Sequence, residues 1–254
     1  SLSWRLTSDP EQRMHWNLRL GRDFRLPGLN DLFWQPGGKR DLQPEVAYGQ
    51  EAAWHYRTAG WGQWRLVAFN RWVRNWIQWS QLRSGIFAVD NITRVWSRGL
   101  QLHWQQQRGA WHLGAKAQYV RATYQVAIEN PRISPGEQLW YTPSWQASAR
   151  LGWQHRGWRF RYQHQYTGAT AGISTQLSAY QLATIQVDYH SDWEKLPWRI
   201  HLALHNCWNA TYQIIEFRPI PGRQLQVGVK LQLTHKLLPT ARPRHKSINH
   251  HATN

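Results

Sequence analysis

The side chains in this sequence best placed to do chemistry are cations interleaved with apolar residues. Arg19, Lys116, Arg150, Arg159, Arg161 and Lys230 all occupy the polar positions of segments that alternate apolar and polar residues. A two-residue period puts such cations on one face of a strand. Fixed cations lining a narrow aqueous space concentrate anions, because low-dielectric walls focus the field. The same cations could instead seat an acidic protein surface or keep the space hydrated. Phe33, Trp34 and Trp140 stand in turn-rich stretches, where a ring either captures a ligand or marks a lipid boundary. Cys207 lies two residues from His205, a spacing that allows a thiol–imidazole pair on one strand face or is incidental. Asp188, Asp192 and Glu194 gather at a turn, where solvated carboxylates are expected, and His245, His250 and His251 either ligate a metal or solvate a tail. No G-x-S-x-G, H-E-x-x-H or Walker-type loop occurs. No catalytic set, no metal site and no cofactor is expected.

These residues need a frame. The 254 residues carry a formal charge of +17, 19 Trp and 10 Tyr. Self-repulsion of that size points to an anionic partner such as nucleic acid, lipid phosphate or an acidic ligand, or to charge carried by solvated loops and the basic segment after Lys236. So many amphipathic rings suit a boundary between an apolar wall and water, a carbohydrate surface or a base-stacking surface. No apolar run reaches the length of a membrane-crossing helix. If the chain crosses a bilayer, it does so with strands. A single cysteine excludes an intramolecular disulfide. The opening Ser1-Leu2-Ser3-Trp4-Arg5 has neither the basic nor the apolar region of a signal peptide, so none is expected here.

The alternation is clearest over Trp145 to Gln154, where Trp145, Ala147, Ala149, Leu151 and Trp153 share a face opposite Gln146, Ser148, Arg150, Gly152 and Gln154. After the turn His155-Arg156-Gly157, Trp158, Phe160, Tyr162, His164 and Tyr166 oppose Arg159, Arg161, Gln163 and Gln165, which predicts a hairpin. Met14 to Leu20, Trp198 to His205 and Gln224 to Leu233 follow the same code, and weaker versions cover 48–58, 63–79, 94–107, 110–124 and 178–190. The sequence therefore predicts an all-β chain of about ten antiparallel up-and-down strands, without a convincing amphipathic helix. The wet face decides between a barrel and a soluble sandwich. It is Gln, Arg, His and Gly rather than Lys, Glu and Thr, and the oily faces end in Trp or Tyr, as aromatic girdles around a lipid-facing band do.

Several motifs stand on this frame in order. Phe24-Arg25-Leu26-Pro27 with Asp31-Leu32-Phe33, the glycines Gly37 and Gly38, and Leu42-Gln43-Pro44-Glu45 resemble a signature of TonB-dependent receptor barrels, F-R-x-P-x-x-x-D-L-aromatic and then L-x-P-E. Lys39-Arg40-Asp41 departs from the Asn-Pro pair usual before the acid or amide. Asn91 with Gly99-Leu100, Tyr141-Thr142-Pro143, Tyr166-Thr167-Gly168 with Leu177 and Tyr180, Asn206 with Trp208, Asn209 and Tyr212, and Pro221-Gly222-Arg223 resemble later motifs of the same family. The resemblance covers roughly 13–234.

The resemblance implies a transmembrane β-barrel of about 22 strands enclosing a plug. Residues 1–234 would form its C-terminal part, with the plug and the TonB box upstream and missing here, and 235–254 a basic, disordered tail. It further implies a nutrient importer of the Gram-negative outer membrane, not an enzyme. Its partners would be outer-membrane lipid, a small-molecule ligand such as a metal chelate or cobalamin, and TonB acting through the plug, with no nucleic acid. The alternative is a soluble, basic, Trp-rich β domain binding nucleic acid or glycan.

Overall fold

The computed structural model describes residues 1–7, 11, 13–81, 87–127, 133–191, 197–218 and 220–231. The tail 235–254, its histidines and the pair Asp192 and Glu194 lie outside these residues. Elements follow in the order β1 (Leu2–Thr7), β2 (Met14–Arg25), α1 (Leu29–Phe33), β3 (Glu45–Thr58), β4 (Gly62–Gln81), β5 (Phe87–Arg108) and β6 (Trp111–Tyr124). Then come β7 (Trp145–His155), β8 (Trp158–Thr167), β9 (Thr170–Ala171), β10 (Gln176–Leu177), β11 (Tyr180–Ser191), β12 (Trp198–His205) and β13 (Gln224–Leu231). Eleven strands make one antiparallel meander in sequence order, and β9 and β10 form a separate small hairpin in the connection from β8 to β11. The sheet is open: β1 and β13 each pair on one side only.

Besides the small β9–β10 hairpin, two elements differ from the sequence-based expectation. Leu2–Thr7 is an additional strand, paired over six residues with β2. One helical turn, Leu29–Phe33, forms where Gly28 N–H donates to the Asp31 carboxylate at 2.9 Å. Among the described residues no helix is long and apolar enough to cross a membrane.

The register fixes the two faces. Leu20, Tyr48, Trp72, Trp96, Trp145, Leu202 and Val227 point outward and are exposed or half-buried. His15, Arg65, Gln101, Lys116, Arg150, Arg161, His201 and Lys230 point to the other face. That face is concave, since a cleft on it is lined jointly by Gln105, Lys116, Arg150, Arg161, Gln186 and His205 from six successive strands of the sheet. Seven strands carry outward aromatic residues eight positions apart: Trp16 and Phe24, Tyr48 and Tyr56, Trp64 and Trp72, Trp96 and Trp104, Trp111 and Tyr119, Trp145 and Trp153, Trp158 and Tyr166. Eight residues span about 26 Å along a strand, comparable with the lipid-facing band of about 25 Å that aromatic girdles bound.

The two ends are unequal. Turns at 59–61, 109–110 and 156–157 close one end, whereas the connections 26–44, 125–144, 168–179 and 206–223 occupy the other. Short turns face the periplasm in such barrels and long loops face outside. A sheet with lipid on one face and a hydrated lumen on the other has little core of its own, so the buried apolar clusters form where loops cover the strand ends. Ile133 and Leu139 pack on inward Ala47, Val73, Val95, Ala122 and Tyr124, and Leu32 and Leu42 pack on Ile77 and Val89.

Candidate ligand-binding site

The family-like motifs hold the loop end together. Arg25 grips the buried carboxylate of Glu45 through two hydrogen bonds, 2.9 and 2.7 Å, and the same carboxylate accepts Ile77 N–H at 2.8 Å. Asp31 accepts the Trp79 indole N–H at 2.8 Å, which ties α1 to the far end of β4. Asn91 accepts Gln43 N–H and donates to the carbonyls of Gln43 and Asn75, holding the 26–44 loop against a bulge where Asn75 adopts φ 56°. Gly99 is required because a Cβ there would strike the Tyr119 carbonyl, and the Phe69 ring leans over the position instead. Asn206 caps its own turn through both backbone groups of Ala210, and Asn209 accepts Arg223 N–H at the start of β13.

Between these loops lies a cleft of ≈ 940 Å³. Its walls are Trp34, Trp76, Trp79, Phe87, Trp140 and Phe217, with Asn30, Gln78, Tyr141, Glu216 and Arg218 among them. Large aromatic walls with a few fixed polar groups are what a small-molecule site requires. The Gln78 carbonyl accepts the Tyr124 hydroxyl at 2.9 Å, while its buried amide nitrogen has no partner among the described residues. An unpaired buried donor is costly, so it favours a ligand that presents an acceptor.

Glu216 sets the shape of this cleft. Although burial pushes its carboxyl up, the N–H groups of Thr175 and Ser174 and the hydroxyls of Thr175 and Tyr141 donate to it and hold it below the usual carboxylate range. Gly172 must be glycine here, since a Cβ would enter the carboxylate. Burial and the adjacent Glu216 charge raise the Tyr141 hydroxyl. Outside the cleft lining, Lys39 donates to Asp90 at 2.8 Å, a contact that raises the Lys39 ammonium.

Of the predicted site residues, Trp34 and Trp140 line this cleft together, whereas Phe33 sits at the end of α1 beneath the Arg40 guanidinium, 5.4 Å from its ring centroid. Lys116, Arg150, Arg159 and Arg161 share a second, luminal cleft of ≈ 660 Å³. There Arg161 pairs with Asp188 at 2.7 Å, and Asp188 also accepts from or pairs with His201 at 2.8 Å. Arg19 lies elsewhere, in a smaller cleft beside Asp23 and Glu51, and Lys230 lies opposite Arg199 on the edge strand β13. His205 and Cys207 do not form the thiol–imidazole pair that their spacing allows. β12 ends at His205, and in the following turn the Cys207 thiol donates to the Leu204 carbonyl. Trp76, Trp79, Gln78 and Glu216 are not distinguished by alternation. The signal for the first two is that they lie beyond Trp72, past the outer girdle position of their strand.

Comparison with known proteins supports the architecture. The family model described as TonB dependent receptor-like, beta-barrel matches residues 1–207. No curated protein sequence matches the chain. Among solved structures, the copper transporter OprC aligns with a TM-score of 0.70 at 15% identity over 89% of this chain and 38% of its own. The FrpB iron transporter from Neisseria meningitidis gives 0.65 at 14% over 89% and 38%. The ferric-catecholate import receptor Fiu from E. coli gives 0.64 at 14% over 89% and 34%. The chain thus spans less than two fifths of these three proteins' length. Such identities establish the fold, and the family match over most of the sequence establishes kinship: the chain belongs to the TonB-dependent receptor β-barrel family, whose members are transporters and not enzymes.

Proposed function

We propose that this chain forms part of the barrel wall and ligand-capture surface of a Gram-negative outer-membrane receptor that imports an anionic metal chelate, with ferric siderophores as the leading class. In this reading 1–234 belong to the barrel and 235–254 to a basic tail, and TonB drives uptake through a plug in the complete receptor. The carrying observation is the aromatic cleft at the long-loop end, with the Gln78 amide, unpartnered among the described residues, in its wall. Aromatic walls suit the flat rings of a chelate, and Gln78 suits its oxygen atoms. The luminal cations Lys116, Arg150, Arg159 and Arg161 then attract the chelate's negative charge inward. Phe33, Trp34 and Trp140 serve capture, and Arg19 and Lys230 extend the cationic wall.

The test is uptake of radiolabelled iron by the complete receptor in a strain lacking its other iron receptors. Uptake should require TonB. Trp76→Ala or Trp140→Ala should weaken chelate binding about tenfold, the order of one buried aromatic contact. Joint Arg150→Gln and Arg159→Gln should slow uptake mainly at low ionic strength. Transport of cobalamin and no iron chelate would reassign the cargo, and transport of neither would overturn the reading.

A further inference from the structure

The luminal charges are sorted around the sheet. On β2 to β4 the inward arginines are matched: Arg25 pairs with Glu45, Arg19 and Arg71 with Asp23, and Arg65 with Glu51. On β6 to β8 the balance fails. Among the described residues Lys116, Arg150 and Arg159 form no ion pair, and Asp188, the one carboxylate on strands β6 to β13, is taken by Arg161 and His201.

Two glycines shape the space beside these cations. Gly114 is the cross-strand partner of Arg150 and Gly152 that of Arg161, all on the inward face with Lys116. A Cβ would meet nothing closer than 3.6 Å at Gly114 and 3.4 Å at Gly152. These are ordinary contacts, so the sheet demands neither glycine, unlike Gly99, where a Cβ would strike the Tyr119 carbonyl. Glycine inside a strand costs stability and marks places where a ligand or another backbone comes close. Each glycine thus leaves an open bay beside a guanidinium, within the luminal cleft of ≈ 660 Å³.

The donors present select the ligand. β7 is paired on both sides, so its N–H groups are engaged in the ladder and do not form the amide cradle that phosphate favours. What remains is forked guanidinium, which matches a planar carboxylate through two parallel hydrogen bonds. Arg161 already holds the Asp188 carboxylate through one nitrogen at 2.7 Å. Trp153, Phe160 and Tyr162 point outward by register, and the inward neighbours are Ser148, Gln163 and Gln165. Such walls suit an aliphatic, hydroxylated acid better than a flat ring.

We propose that this cleft is a second, luminal binding station for a small polycarboxylate, whose carboxylates Arg150 and Arg161 grip over Gly114 and Gly152 while Lys116 and Arg159 balance the remaining charge. The station rests on the import reading and deepens it, because it narrows the cargo to a chelate whose ligands are carboxylates.

The test titrates tricarballylate, a metal-free tricarboxylate, into the complete receptor in mild detergent by calorimetry, with a folded barrel confirmed by heat-modifiable electrophoretic mobility. The unaltered receptor should bind it, and Arg150→Gln with Arg161→Gln should weaken binding at least about tenfold, the scale of losing charged hydrogen bonds. Arg150→Lys with Arg161→Lys should restore only part, since an ammonium lacks the fork. Gly114→Ala with Gly152→Ala keeps every charge and favours the strand, yet should weaken binding severalfold by filling the bays. Arg71→Gln, which removes a luminal arginine of a different cleft, should leave affinity unchanged. No tricarballylate binding, or equal affinity in the folded glutamine variant, would overturn the station, and tighter binding of pyrophosphate would overturn its carboxylate class. Unchanged affinity with faster proteolysis of the plug would assign the cations to plug carboxylates and overturn it too. Uptake of labelled iron is scored separately. Absence of TonB-dependent uptake, with tricarballylate bound by the unaltered receptor and lost in the variants, would overturn the import reading and leave the site standing. Uptake without tricarballylate binding would overturn the site alone.

Discussion

The Tyr141 hydroxyl donates to the Glu216 carboxylate across 3.1 Å, joining residues 75 positions apart. With Ser174 and Thr175 donating to the same carboxylate, three loops converge on one charge. Because Glu216 titrates below its ordinary value of 4.5, the stabilisation it provides is complete above that value and is lost as pH falls through its lower folded value. Ligand affinity of the complete receptor should therefore drop in acid beyond any change in the ligand itself. Glu216→Gln should remove that acid-dependent component and weaken binding at neutral pH. Titrating ligand binding from neutral pH downward for both proteins checks this, and parallel pH profiles would show that the loops do not depend on the charge.

Arg25 and Glu45 should act as the hinge pin of the 26–44 loop. Glu45 is buried while Arg25 is half exposed, so the larger cost comes from leaving Ile77 N–H and the guanidinium without their acceptor. Glu45→Ala should destabilise the loop by about 1–3 kcal/mol, the usual cost of an orphaned buried partner. The readout is protease cleavage within the loop of the folded receptor, expected to accelerate strongly, with the β-sheet circular dichroism signal unchanged. Unchanged cleavage would place the loop's stability in the Leu32, Leu42, Ile77 and Val89 cluster instead.

The faces assigned by the register make opposite predictions for neighbouring residues. Spin labels replacing Leu151, Val227 or Val229 should be relaxed by a lipid-soluble quencher, and labels replacing Arg150, Arg159 or Gln226 by a water-soluble one. A Cys207→Ser background keeps the labelling specific. Equal responses at adjacent positions such as Arg150 and Leu151 would refute a sheet with lipid on one side and water on the other.

The sequence by itself determined the strands and their two faces. Side chains alternate with a period of two along any strand, so Trp145 to Gln154 announces its oily and wet faces without knowledge of its neighbours. Aromatic residues eight positions apart carry the height of the apolar band in the same local way, and the motif around Phe24, Pro27, Asp31 and Glu45 marks its loop. Leu2–Thr7 obeys the alternation too, but six residues are too few to stand out before β2 is beside them. What the tertiary structure decided lies where no period exists. The cleft takes Trp34, Trp79, Trp140 and Phe217 from four distant stretches, and Glu216 reads as an ordinary loop carboxylate until Ser174, Thr175 and Tyr141 are folded against it. Likewise Arg98 and Arg121 are unremarked in the sequence, because only strand register sets them face to face on the outward side. Periodic burial is written locally, whereas opposition of charges and convergence of loops depend on the partner that the sheet supplies.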